Sequence, residues 1–81
     1  MQLTSQQIRM ARAALNWSVK DLAQAAGVHR NTITNIEVGR YLGDAETLKK
    51  LKRALVKGGV EFIDENGGGP GVRLKRQQKR K

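Results

Sequence analysis

The sequence predicts a mainly α-helical fold of four short helices, completed by a C-terminal β-hairpin or strand pair. Three observations predict it. Apolar residues recur at three- and four-residue spacing as far as Leu55. Short acceptor side chains and glycines punctuate that pattern where helices would start and stop. After Gly59 the period changes to alternation, the mark of extended chain.

Thr4-Ser5-Gln6-Gln7 reads as a capping box, and Ile8, Ala11 and Leu15 follow as an apolar stripe with Arg9 and Arg12 on other faces. Asn16 ends this helix. Ser18-Val19-Lys20-Asp21 repeats the box, opening a second helix with Leu22, Ala23 and Ala26 inward. Gly27 sits where the chain must turn left-handed. A third helix begins at His29 or Arg30, carries Ile33 and Ile36, and closes at Gly39. Asp44 caps a fourth helix, in which Leu48, Leu51 and Leu55 align, with Glu46 and Lys57 placed to suit its dipole. Gly58-Gly59 breaks it. Val60–Ile63 and Val72–Lys75 then read as strands around a loop rich in glycine. If Val60, Phe62, Val72 and Leu74 share a face, Glu61 lies near Arg73 or Lys75 on the other. A lone ribbon is hardly stable in water, so it must pack on the helices or pair with a second copy.

The division expected is a helical domain over 1–57, a hairpin extension and possible dimer element over 58–75, and a basic tail over 76–81. The tail has no apolar residue and is expected to be disordered. At 81 residues the chain has room for one small domain, which buries about 60% of the surface its unfolded form exposes. Sixteen Lys and Arg against seven Asp and Glu give a net charge of +9, which favours polyanionic partners. Six of those cations and no acid fall in 70–81.

The absence of cysteine excludes disulfides and thiolate metal sites, and a single His makes a metal role improbable. No apolar run approaches the ~20 residues that span a bilayer, so a cytoplasmic protein is the default. Nothing resembles a nucleophile–base pair, a phosphate loop or a carboxylate pair. Gly67-Gly68-Gly69 precedes Pro70 and another strand, so it reads as a loop rather than a dinucleotide cradle. No enzyme activity and no cofactor are expected.

Function concentrates in residues 18–38. Two helices joined by a tight turn need a small residue where they cross, supplied by Ala23, and a residue tolerant of positive φ, supplied by Gly27. Val28 fills the inner side of the turn, and Ile33 and Ile36 anchor the second helix. At about 100° per residue, those anchors send Asn31, Thr34 and Asn35 away from the core, with Arg30 on the shoulder and Glu37 on the flank. Arginine can pair in bidentate fashion with guanine, and asparagine with adenine. Trp17, between the first two helices, reads as core. His29 is placed to cap the third helix or to meet a phosphate.

The run Ser18-Val19-Lys20-Asp21-Leu22-Ala23-Gln24-Ala25-Ala26-Gly27-Val28, continued by Thr32-Ile33-Thr34-Asn35-Ile36-Glu37-Val38-Gly39-Arg40, closely resembles the phage-repressor-like, or XRE-type, helix-turn-helix family. The likeness covers about residues 5–57. It implies a lambda-repressor-like DNA-binding domain whose recognition helix runs from Arg30 to Val38. The family's base contacts fall on Arg30, Asn31, Thr34 and Asn35, and its phosphate contacts on Ser18, Val19 and Lys20. Many members have glutamine where this chain has Val19, so side-chain readout is lost there while backbone N–H groups remain. Arg40, and with it Arg12, is expected to add phosphate contacts beside the reading helix. Lys49, Lys50, Lys52 and Arg53 read equally as a solvated face or as backbone contacts.

The expected function is sequence-specific binding of double-stranded DNA by a transcriptional regulator, a repressor first, acting as a homodimer on paired half-sites. An alternative is an antitoxin-type protein that binds DNA and a partner toxin through hairpin and tail. A third class, an RNA or membrane-surface binder drawn from charge alone, predicts affinity without sequence preference.

Overall fold

Each helix starts where a short acceptor side chain meets otherwise unpaired N–H groups. In the computed structural model, which describes residues 3–75, the order is α1 (Ser5–Ala14), α2 (Val19–Ala26), α3 (Arg30–Glu37), α4 (Ala45–Gly58), β1 (Val60–Ile63) and β2 (Gly71–Leu74). Both expected capping boxes form, at Thr4/Gln7 and Ser18/Asp21. Asp44 accepts from the Thr47 N–H at 2.8 Å to cap α4. His29 caps α3, its Nδ1 accepting from the Asn31 N–H at 3.1 Å. Gly27 ends α2 at φ 70°, a conformation only glycine adopts cheaply. The basic tail at 76–81 lies outside the described residues.

The apolar stripes meet in one core of Leu3, Ile8, Ala11, Leu22, Ile33, Ile36, Leu51, Ala54, Leu55 and Val60, with Trp17 half-buried against it. Leu48, expected in the stripe of α4, is only half-buried. The break at Gly58-Gly59 also falls one residue later than the glycine pair suggests. Gly58 stays helical, and a Cβ there would stand 2.9 Å from Leu15 and Trp17. That glycine serves a close approach, and Gly59, at φ 121°, makes the turn.

The strands pair antiparallel, Val60 opposite Leu74 and Phe62 opposite Val72, and of the two cations expected near Glu61 it is Arg73, not Lys75, that stands opposite it. The ribbon packs on the helices of its own chain, chiefly α1 and α4. Its apolar face is buried at Val60, half-buried at Phe62 and Val72, and open at Leu74. Leu74 borders a groove lined by Leu15, Val56 and Lys57 together with Gly58 and Gly59.

Gln7 ties helix to ribbon. It is fully buried, its Oε1 accepts from the Thr4 N–H, and its Nε2 donates to the carbonyls of Ile63 and Gly71 at 3.2 and 3.0 Å. A glutamine uncovered on all these bonds would cost more than the helix could recover from its cap alone. Among the described residues, no helix is long and apolar enough to cross a membrane.

Candidate nucleic-acid interface

Ile33 and Ile36 are buried, and they fix how α3 presents its remaining residues. Arg30, Asn31 and Thr34 are exposed, as the helical periodicity predicts. Among the described residues their side chains take part in no hydrogen bond or ion pair. Asn35 differs. It is half-buried because the chain after α3 folds back over it: its backbone carbonyl accepts from the Arg40 and Tyr41 N–H groups at 2.9 and 3.2 Å, and its Oδ1 faces Arg40 Nη1 at 3.5 Å. Asn35 and Arg40, expected to read a base and a phosphate separately, are therefore neighbours. Arg40 itself is exposed.

The helix also ends one residue earlier than expected, with Val38 as its C-cap. Glu37, expected on an open flank, is buried at 5% exposure. The wheel places it on the stripe of Arg30, two turns further on, and treats burial as uniform along the helix. It is not uniform, because α1 lies across the C-terminal end of α3.

What α1 brings there gives Arg12, expected to contact a phosphate, a partner inside the fold. Its guanidinium donates from Nε and Nη2 to the two Glu37 carboxylate oxygens at 2.9 and 3.0 Å, and from Nη1 to the Trp17 carbonyl at 3.0 Å. Three of its five N–H donors are used inside the fold, and such paired N–H bonds are the strongest kind arginine makes. The hydrogen bonds to Glu37 push the Arg12 pKa above its ordinary value, against the opposing effect of burial. Arg9 adds a hydrogen bond to the Glu37 carbonyl. The two arginines of α1 thus grip the end of α3. The one signal of this in the sequence is that Glu37 is the sole acid of α3.

The other half of the site is the start of α2. Ser18 Oγ accepts from the Asp21 N–H at 3.0 Å, and Asp21 Oδ2 accepts from the Ser18 N–H at 2.9 Å. The N–H groups of Val19 and Lys20 find no acceptor in the chain among the described residues, and the Lys20 side chain is exposed. Two open donors at the positive end of a helix suit a phosphate oxygen. The Asp21 carboxylate, held one turn away by the cap, limits how much negative charge that end attracts.

Comparison with known proteins agrees with this arrangement. The family model described as helix-turn-helix matches residues 8–55, from α1 through most of α4. The chain belongs to the XRE-type helix-turn-helix family. Members of this family are DNA-binding regulators, and the match covers α2, the Gly27 turn and α3 together. The chain is also similar to Multiprotein-bridging factor 1 from Schizosaccharomyces pombe (strain 972 / ATCC 24843), 32% identical over 66 residues. That alignment takes in 82% of this chain and 43% of the relative, so the chain spans less than half of the relative's length. The matched region holds α3 as the second helix of the pair, and its clamp to α1 lies at the end away from Arg30 and Asn31.

Proposed function

We propose that the chain is a sequence-specific transcriptional regulator, a repressor in its simplest form, that inserts the N-terminal half of α3 into the DNA major groove. One observation carries this reading: Arg30, Asn31 and Thr34 stand exposed, and without partners among the described residues, on a helix anchored by Ile33 and Ile36. These three, with Asn35 at the rim, contact base edges. Ser18, Val19, Lys20 and Arg40 hold phosphates on either side. The test is selection of bound sequences from a random duplex pool; recovery of no preferred sequence sinks the reading. On the selected site Asn31→Ala weakens binding by about 1–3 kcal/mol and leaves random duplex almost unaffected. Lys20→Ala weakens both alike and lowers the salt slope by about one unit.

One helix of this length reads few base pairs, so the regulator works as a homodimer on paired half-sites. The hairpin over 58–75 is the dimer element; support comes from the absence of a third strand among the described residues and from Leu74, which is 56% exposed. A monomeric mass at high micromolar concentration, with and without the selected duplex, removes this part of the proposal.

The likeness to Multiprotein-bridging factor 1 favours a second role, in which the DNA-bound chain presents a protein partner. The antitoxin alternative is the narrower form of that role, with a toxin as the partner.

A further inference from the structure

Helix α4 carries five cations after its first turn, and among the described residues none of them forms an ion pair. Lys50, Arg53 and Lys57 form one row, all exposed, and with Ala25, Ala26 and Ala54 they line a shallow groove of about 190 Å³ between α4 and the C-terminal turn of α2. Elsewhere the acids are engaged. Glu37 is bound by Arg12, Glu61 by Arg73, Asp21 and Asp44 serve as caps, and Glu65 accepts from the Gly67 and Gly69 N–H groups. Asp44 and Glu46, at the start of α4, lie near the Lys50 end of the row, Asp44 feeling the charge of Lys50, and neither forms an ion pair with it; Arg53 and Lys57 likewise have no ion-pair partner among the described residues.

From this we infer that the groove docks an acidic helix of a partner protein. At 1.5 Å rise per residue the three cations stand about 4.5 and 6 Å apart along the axis of α4. An antiparallel helix with carboxylates at i, i+4 and i+7 repeats those intervals in reverse order and meets each cation in turn. The floor decides between this occupant and a nucleic-acid backbone. Three alanine methyls give a sugar–phosphate chain nothing to bind, whereas they let a helix approach closely and bury its own small apolar residues. The row also borders the C-terminal end of α2, while the open N–H donors suited to phosphate lie at the N-terminal end of that helix. Exposed ion pairs are individually weak, so the groove supplies selectivity through the joint match of three charges with a methyl floor.

The inference gives a surface to the partner-presenting role and rests on it, but not on base recognition. Its test is fluorescence titration of the full chain with a labelled alanine-based peptide of about 20 residues, long enough to be helical alone. The peptide carries glutamates at i, i+4 and i+7, and a scrambled peptide of equal composition is the comparison. The expected result is that Lys50→Gln/Arg53→Gln/Lys57→Gln weakens binding about ten-fold, as loss of three exposed pairs implies. Lys49→Gln/Lys52→Gln/Lys75→Gln, equal in charge, is expected to leave binding nearly unchanged. Ala25→Trp, which fills the groove without altering charge, should weaken it as the row variant does. Equal losses from the two triple variants, equal binding of the scrambled peptide, or an inert Ala25→Trp each overturn the inference. It is also overturned if the peptide does not bind and the row variant instead loses affinity for random duplex beyond its equal-charge control. Repeating the titration on chain already bound to the selected duplex separates the two claims. Peptide that binds free chain but leaves when duplex is added keeps the groove and removes the role in presenting a partner on DNA.

Discussion

Two arginine–glutamate pairs hold different parts of this molecule, and the closer contact is the weaker one. Arg73 Nε stands 2.6 Å from Glu61 on the outer face of the ribbon, with the two side chains 66% and 50% exposed. Arg12 meets Glu37 at 2.9 Å with side chains 24% and 6% exposed. Water competes for the first pair at every moment and screens its attraction, so its net contribution is small. The second pair is mostly shielded, bidentate, and completed by the Trp17 carbonyl. Its value lies less in what the pair adds than in what either partner costs when left alone. Separation alone therefore says little about strength; burial and the remaining hydrogen bonds decide it.

The contrast can be broken most sharply at Arg12. Arg12→Ala strands the Glu37 carboxylate in the interior and opens a Trp17 carbonyl, and is expected to lower unfolding free energy by about 3 kcal/mol in urea titration. A loss below 1 kcal/mol would place this pair with the exposed one. Glu37→Gln keeps one acceptor for Arg12 and should cost less, about 1–2 kcal/mol. Replacing both partners, Arg12→Met with Glu37→Leu, should recover most of the loss of Arg12→Ala, since no charge is then left unpaired. Because the pair raises the Arg12 pKa, its contribution is present below the ordinary arginine value and is lost only as pH rises through the raised one. Across the neutral range it is constant.

Smaller effects sit on the surface. A double-mutant cycle of Glu61→Ala and Arg73→Ala is expected to give a coupling below about 1 kcal/mol that vanishes in molar salt. A salt-insensitive coupling of larger size contradicts the contrast. Asp44 marks the exposed limit. The Thr47 side chain and N–H hold its carboxyl below its ordinary pKa, so its stabilisation is present above the unfolded value and fades as pH falls through the lower, folded one. Asp44→Asn keeps the cap acceptor but does not titrate. The acid limb of its stability curve, below about pH 4, should be slightly flatter than that of the wild type. Coincident curves mean that Asp44 makes no contribution to acid sensitivity.

How far the sequence discloses all this depends on the range of the interactions involved. Caps and turns are set by residues within four positions of one another, and Thr4, Ser18, Gly27 and Asp44 appear in their expected roles. Strand alternation shows which hairpin residues share a face, while the choice of Arg73 over Lys75 opposite Glu61 is made by the pairing itself. The anchors Ile33 and Ile36, and the exposure of Arg30, Asn31 and Thr34, follow from periodicity alone. What periodicity does not carry is tilt. Glu37 and Arg30 share a stripe, yet only one is buried, because α1 crosses one end of α3 and not the other. For the same reason Arg12, a basic residue beside a reading helix, looks like a phosphate contact until its partner, 25 positions away, is in view. Asn35 is covered by a loop whose path no local pattern fixes.

Gln7 has a consequence of another kind. By holding the carbonyls of Ile63 and Gly71 together, it closes the segment 64–70 at its base, independently of what that segment contains. A segment so closed can lengthen at little thermodynamic cost, about 0.6 kcal/mol for each doubling. Neither α3 nor α4 contributes to that clamp. The tip of the ribbon is thus a natural place for insertion, where a tag, a fluorophore or a whole grafted peptide can be carried while α3 stays where the core has put it.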